Sequence, residues 1–227
     1  VIVDCISDLH GYYPELQGGD LLIVAGDLTA RDQPWEYIEF GRWLNQQNYR
    51  KKIVTSGNHD NTAQNAEPFI NPETDEWVYL CDSGTEFEGL KIWGSPWTKT
   101  FPNMNPNCKA FTVDTEEELA SKFSLIPQDT NILITHSPVY EVLDKVKRYN
   151  SRGTWDPKKD SYEHVGSKAL QKHIDWDLYL QLHVCGHVHE GYGEVKGQTG
   201  IFSYHYVNCS IMNEIYEPIN KPIRIEI

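Results

Sequence analysis

The residues of this chain that could do chemistry are concentrated in a few short turns. They read Asp8-Leu9-His10, Gly57-Asn58-His59-Asp60, Thr135-His136-Ser137-Pro138 and Gly186-His187-Val188-His189, and Gly26-Asp27 adds another. Together they hold five of the nine histidines, with Asp8, Asp27 and Asn58 among them. A lone histidine in a turn is usually an ordinary solvated or hydrogen-bonded residue. Five of them in equivalent turns, joined by carboxylate and amide groups, point instead to one shared metal site. Such donors without thiolate suit Zn, Mn or Fe. They outnumber the four that one zinc takes, which implies two divalent ions. The five cysteines, at 5, 81, 108, 185 and 209, are odd in number and widely spaced, with no C-x-x-C pair. They make neither a disulfide framework nor a zinc–thiolate site. Cys5, Cys185 and Cys209 stand among apolar residues and read as small core fillers.

Each turn follows a short apolar run: 1–6, 21–25, 52–55, 132–135 and 182–185. Short runs rich in β-branched residues read as strands buried on both faces. Segments of helical period lie between them. Over 34–47, Pro34 opens the segment and Trp35, Ile38, Trp43 and Leu44 make one apolar face. Over 115–125, Leu119, Phe123 and Ile126 do the same, with acids at 116–118 where the helix dipole favours them. Over 167–175, Ser167 is the expected N-cap, with Leu170 and Ile174 facing inward. Alternating strands and helices predict an α/β layered fold, and 227 residues suit a single domain over 1–227. The C-terminal strand edge is where α/β folds bind ligands, so the metal site belongs there. The stretch 77–113 predicts shorter strands, 199–227 alternates like antiparallel strand, and 137–165 reads as a long polar loop of the functional kind.

Lys and Arg number 20 against 33 Asp and Glu, a formal net charge of −13. That balance argues against a long nucleic-acid footprint, which takes a basic surface. No apolar run approaches the roughly 20 residues of a membrane span. No basic-then-apolar leader opens the sequence. With unpaired cysteines, these features predict a reducing, cytoplasmic location and no membrane partner.

The five turns in this order resemble those of the calcineurin-like metallophosphoesterase superfamily. Gly94-Ser95-Pro96-Trp97, His189-Glu190-Gly191-Tyr192-Gly193 and Tyr206-Val207-Asn208-Cys209-Ser210 resemble one branch of it, the metallophosphoesterase-domain-containing proteins related to class III cyclic-nucleotide phosphodiesterases. The resemblance covers essentially the whole chain. It implies a four-layer α/β/β/α sandwich and hydrolysis of small phosphodiesters, 2′,3′- or 3′,5′-cyclic nucleotides among them. It implies that Asp8, His10 and His189 hold one ion, that Asn58, His136 and His187 hold the other, and that Asp27 bridges both. A hydroxide held between ions about 3.5–4 Å apart exists at neutral pH and attacks phosphorus in line. His59 would then be the catalytic acid, facing the leaving oxygen.

Two comparisons with the superfamily sharpen this. Many protein-phosphatase relatives carry G-D-x-x-D, whose last Asp orients the catalytic histidine. Here the stretch is Gly26-Asp27-Leu28-Thr29-Ala30, which argues against a protein phosphatase and leaves Asp60 or a backbone carbonyl to orient His59. Some members of the branch have Gly where His187 stands and lose activity; this chain keeps the histidine. Trp97, Tyr140, Tyr204 and Tyr206 are candidates for stacking on a nucleobase, but core or rim packing is the first expectation for each. His164 and the basic run Lys145, Lys147 and Arg148 could meet substrate, against an ordinary loop histidine and a solvated helix face. Glu190 could orient a metal histidine. The alternatives are a phosphomonoesterase or nuclease of the same fold, or a scaffold with a decayed site. The complete set of seven ligands and His59 speaks against the last.

Overall fold

The computed structural model describes residues 1–65, 77–101, 104–148, 161–177, 180–199 and 202–227. In chain order the strands are β1 Ile2–Ile6, β2 Gly19–Ala25, β3 Tyr49–Thr55, β4 Trp77–Tyr79, β5 Ser83–Phe87, β6 Leu90–Ser95, β7 Thr98–Lys99, β8 Thr112–Val113 and β9 Ile132–Thr135. They continue with β10 Lys145–Arg148, β11 Ser161–His164, β12 Leu182–Cys185, β13 Gly193–Thr199, β14 Phe202–Asn208 and β15 Ile223–Glu226. The helices are α1 Pro34–Asn45, α2 Asn61–Asn65, α3 Glu116–Phe123 and α4 Lys168–Asp177.

Two sheets carry the fold. One runs β15-β1-β2-β3-β4, the other β13-β14-β12-β9-β6-β5. In the first, β1 to β4 are parallel and only β15 is antiparallel. In the second, β14, β12, β9 and β6 are parallel and the outer strands β13 and β5 are antiparallel. Strand alternation assigns the faces. Val3, Cys5, Leu21, Ile23 and Ala25 of the first sheet share one core with Ile132, Ile134, Leu182 and Val184 of the second. Their neighbours Leu22, Val24 and Val54 pack outward against Tyr37, Phe40 and Leu44 of α1. Leu133 faces the other way, onto Leu119 and Phe123 of α3 and Leu170 and Ile174 of α4. The layers are therefore α/β/β/α, as the resemblance implied. The five predicted strands are β1, β2, β3, β9 and β12.

Local sequence explains the helix boundaries. Thr115 caps α3 by accepting from Glu118 N, and Glu118 returns the bond to the Thr115 backbone. Ser167 Oγ accepts from Leu170 N at 3.1 Å and starts α4. The predicted apolar face of α1 needs correction: Trp35 and Ile38 are exposed, and the buried face is Tyr37, Phe40 and Leu44. These sit at i, i+3 and i+7, and the aromatic Tyr37 and Phe40 supply the stripe expected of Trp35 and Ile38. The basic run 145–148 is not a helix face but β10, paired antiparallel with β11. The predicted loop thus contains a hairpin, and its stretch 149–160 lies outside the described residues. Among the described residues, no helix is long and apolar enough to cross a membrane.

Candidate metal centre

The C-terminal ends of β1, β2 and β3 from one sheet meet those of β9 and β12 from the other, and all eight predicted site residues lie in the turns beyond them. Backbone bonds lock the turns together. Asp8 N donates to Gly26 O at 2.9 Å, His10 N to Asp27 O at 3.0 Å, and Gly186 N to His136 O at 3.2 Å. The turns pass so close that side chains would not fit. A Cβ on Gly186 would lie 2.0 Å from Ser7 Oγ and 2.2 Å from Asp8 Oδ2, and one on Gly57 would lie 2.3 Å from Asp27 Oδ1. Asp8, His10, Asp27 and His187 all adopt left-handed backbone, with φ of 54°, 43°, 53° and 68°. Such conformations cost roughly 1–3 kcal/mol each outside glycine and cluster where geometry serves function.

The side chains converge around Asp27 in overlapping groups: Asp8, Asp27 and His136, and also His10, Asp27 and His59, lie within 4.8 Å of one another, and two further sets flank Asp27. In the first, Asp8, His10 and His189 offer donor atoms within 4.8 Å of one another. His189 Nε2 lies 3.3 Å from Asp8 Oδ1. His10 Nε2 is buried, has no hydrogen-bond partner among the described residues and lies 3.7 Å from Asp27 Oδ2. In the second, Asn58 Oδ1 is 3.1 Å from His136 Nε2 and 2.9 Å from His187 Nδ1, and His136 Nε2 is 3.4 Å from Asp27 Oδ2. Atoms that bind one ion at about 2.0–2.2 Å stand about 3–3.4 Å apart; the 2.9–3.4 Å between His189 and Asp8, between Asn58 and its two histidines, and between His136 and Asp27 is close to this, and His10 stands wider, at 3.7 Å from Asp27.

Outer partners fix two imidazoles. His136 Nδ1 donates to Ala25 O at 2.9 Å and His189 Nδ1 to Asn213 O at 2.9 Å. A carbonyl can only accept, so Nδ1 carries a proton in both rings and Nε2 is the atom turned toward the centre, the arrangement that orients metal-ligating histidines.

The electrostatics call for cations. Burial alone would raise the Asp27 carboxyl, but His136 and His59 hold it well below the usual range. Asp8 is likewise raised by burial and brought below that range by His189. In return, although burial opposes its charge, His136 is lifted by Asp27 to about 9, and His189 is raised by Asp8. Burial holds His10 down to about 4 and His187 to about 3. Two buried carboxylates thus draw protons onto neighbouring imidazoles, and divalent ions would occupy the same wells. The donor set, the orphaned His10 Nε2 and this balance of charge all fit divalent metal.

His59 stands slightly apart. Its backbone N donates to Asp27 Oδ1 at 2.9 Å, its Nε2 lies 3.9 Å from Asp27 Oδ2, and its side chain is 18% exposed, against 0% for His136. Its Nδ1 meets Cys108 Sγ at 3.5 Å. Of Asp60 and a backbone carbonyl, the two orienting groups the sequence left open, the first is committed elsewhere. Asp60 instead accepts from Gly57 N at 2.8 Å and Leu28 N at 3.0 Å, stapling the turn after β3 to the turn after β2. Burial and the nearby Asp27 raise its carboxyl to about 8.

A family model described as calcineurin-like phosphoesterase matches residues 2–191. The chain belongs to the calcineurin-like phosphoesterase family. The human and mouse proteins named metallophosphoesterase domain-containing protein 1 are each 34% identical to it, over 98% of this chain and 70% of theirs. A Caenorhabditis elegans protein, UPF0046 protein T07D4.2, is 28% identical over 98% of this chain and 59% of its own length. The crystal structure of TT1561 of Thermus thermophilus superposes with a TM-score of 0.56 at 14% identity, covering 91% of this chain and 88% of that one, which shows the shared fold. A calcineurin-like phosphoesterase is a metal-dependent phosphoester hydrolase, and the buried donor groups described above are this chain's candidate metal ligands.

The remaining candidates have other partners. Trp97 Nε1 donates to Asp82 Oδ2 at 2.6 Å, and Lys122 Nζ lies 3.7 Å from its ring centroid. Tyr204 packs on Tyr206, Tyr206 on His183, and Tyr140 on His164. His164 Nδ1 is held by Asp144 Oδ1 at 2.5 Å. Glu190 Oε1 accepts from Lys147 N at 3.0 Å and anchors β10 rather than a histidine. What the sequence did not reveal is that Tyr216, Phe101 and Cys108 border the centre. Tyr216 and Phe101 sit in stretches with no motif, and Cys108 read as one more scattered thiol. Only the fold brings them to the histidines.

Proposed function

We propose that this chain is a two-metal phosphodiesterase of small substrates, cyclic nucleotides among them, that works in the cytoplasm with Mn, Fe or Zn. The observation that carries the proposal is the convergence of two sets of donors on Asp27. Asp8, His10 and His189 would hold one ion, Asn58, His136 and His187 the other, and Asp27 both. Two divalent ions so held supply a nucleophile at neutral pH and neutralise phosphoryl charge.

The chain's own residues do the rest. Asp27 holds the turn that carries His59 through the bond from the His59 backbone. Asp60 fixes that turn against the one after β2. The His59 ring, the more open of the imidazoles beside Asp27, donates a proton from Nε2 to the leaving oxygen. The net charge of −13 repels long polyanions and favours small esters. The test is to reconstitute the stripped protein with Mn and rank kcat/KM for 2′,3′-cAMP, 3′,5′-cAMP, bis-p-nitrophenyl phosphate, p-nitrophenyl phosphate and single-stranded RNA. Diesters should lead, with Asp27→Asn losing metal and nearly all turnover. A lead for the monoester or for RNA would overturn the substrate class, and an Asp27→Asn protein with two ions and normal turnover would overturn the shared ligand.

A further inference from the structure

Tyr216 lies on the loop after β14, beyond the stretch 2–191 that matches the family model. Its ring meets three histidines of the centre edge to face or tilted. Centroid distances are 4.9 Å to His10, 5.0 Å to His189 and 6.4 Å to His59. The residue is nevertheless 55% exposed. A large aromatic placed over charged and polar groups and left more than half exposed is not explained by core packing.

The loop is built to hold it there. Tyr216 takes a left-handed backbone, φ 61°, a conformation bulky residues avoid. Asn213 Oδ1 accepts from Ile215 N at 3.0 Å and Glu217 N at 2.8 Å, and Asn213 N donates to Glu217 O at 2.9 Å. Asn213 O is the same carbonyl that receives His189 Nδ1. One residue therefore both orients a proposed metal ligand and closes the turn that presents Tyr216. A second exposed ring, Phe101 at 49%, lies 6.3 Å from His187 at the other group of donors.

We propose that Tyr216 is a specificity-determining residue, a wall against which a flat ring of the substrate's organic arm packs while its phosphoryl group sits on the metals. The class of ligand is a phosphoester carrying an aryl or heteroaryl ring near phosphorus, as opposed to an alkyl ester. This rests on the phosphoesterase reading of the centre. An aromatic pair adds about 0.5–1.5 kcal/mol beyond area burial, which converts to roughly 2- to 13-fold in affinity at 1.36 kcal/mol per decade.

Phenylphosphonate and methylphosphonate test this, because their P–C bonds do not hydrolyse and leaving-group chemistry drops out. Their dissociation constants are measured calorimetrically on the Mn-reconstituted protein. Tyr216→Asn removes the ring while keeping a residue that tolerates left-handed backbone, and Tyr216→Phe keeps the ring. The expected result is a wild-type preference for phenylphosphonate of at least about 2-fold, kept in Tyr216→Phe and lost in Tyr216→Asn, with methylphosphonate affinity unchanged throughout. Equal affinities in the wild type, or a preference that survives in Tyr216→Asn, would overturn the role of Tyr216 alone. Failure of the Mn-loaded wild type to bind either phosphonate would overturn the phosphoesterase reading and this inference with it.

Discussion

Replacing His59 by Ala separates the two roles its position allows. The frame around it should survive. The bond to Asp27 Oδ1 comes from the residue 59 backbone, which Ala keeps, and the ring is already partly open to solvent, so little buried surface is lost. The stability cost should be about 1 kcal/mol or less, a shift of roughly 2–4 °C in a chain of this size. Chemistry should suffer far more. General acid help is worth about 10²–10⁴-fold, or roughly 3–5 kcal/mol in the barrier. That help matters when the leaving oxygen is basic, as in a ribose alkoxide, and little when it is p-nitrophenolate. The assay is kcat on 2′,3′-cAMP and on bis-p-nitrophenyl phosphate, with metal content measured on the same samples. Metals should remain, the first substrate should fall by that factor and the second by less than about 10-fold. Equal losses on both substrates would show that His59 stabilises phosphoryl charge or positions substrate instead. Loss of an ion would make it a ligand, as the proximity of donor atoms from His10, Asp27 and His59, all within 4.8 Å, would then explain.

Metal removal should destabilise the fold, because the proposed ligands come from five separate strand ends: at 100 Kd the linkage is about 2.7 kcal/mol, or roughly 5–10 °C in Tm, restored by adding Mn, and an unchanged Tm after verified stripping would contradict the site. Gly186→Ala should lower Tm and metal stoichiometry together, since its Cβ would collide with the fully buried Ser7 and Asp8, an overpacking cost of about 1–3 kcal/mol; normal metal content at normal Tm would show the turns to be looser than described. Burial holds His183 neutral down to about pH 3, whereas the unfolded chain takes up that proton near the ordinary histidine value of 6.5, so stability is full above pH 6.5 and declines as pH falls toward 3, by up to about 1.4 kcal/mol per unit. In chelator, denaturation midpoints of the wild type should therefore fall more steeply with acid than those of His183→Asn, and parallel curves would refute the assignment.

Much of the fold was legible because its signals are local. A four- to seven-residue β-branched run ending in a polar turn can hardly be anything but a buried strand end, and β1, β2, β3, β9 and β12 are such runs. The caps of α3 and α4 are written in Thr115, Glu118 and Ser167. Where local signals compete, the sequence misled. In α1, Trp35 and Ile38 are as apolar as Tyr37 and Phe40, and only the first sheet decides which stripe is covered. Over 145–148, Lys-Val-Lys-Arg fits a polar helix face or a strand equally, and the partner strand β11 settles it.

The centre divides along the same line. The candidate ligands are legible because metal chemistry restricts such donors to a few residue types and the strand edge restricts them to a few turns. Nothing restricts the groups that surround the candidate metal site in this way. Cys108 reaches His59 from a loop that lies 49 residues further along, and Tyr216 reaches His10 from more than 200 residues away. A thiol or a phenol has many uses, so residue type alone carries no signal for either. The consequence is an asymmetry in what sequence can say of such an enzyme. The reaction follows from donors that chemistry forces to be recognisable, whereas the substrate follows from rings and loops that only packing brings together. Tyr216 belongs to the second kind: its backbone strain and its place against the histidines become visible only once Asn213 is seen to hold both it and His189.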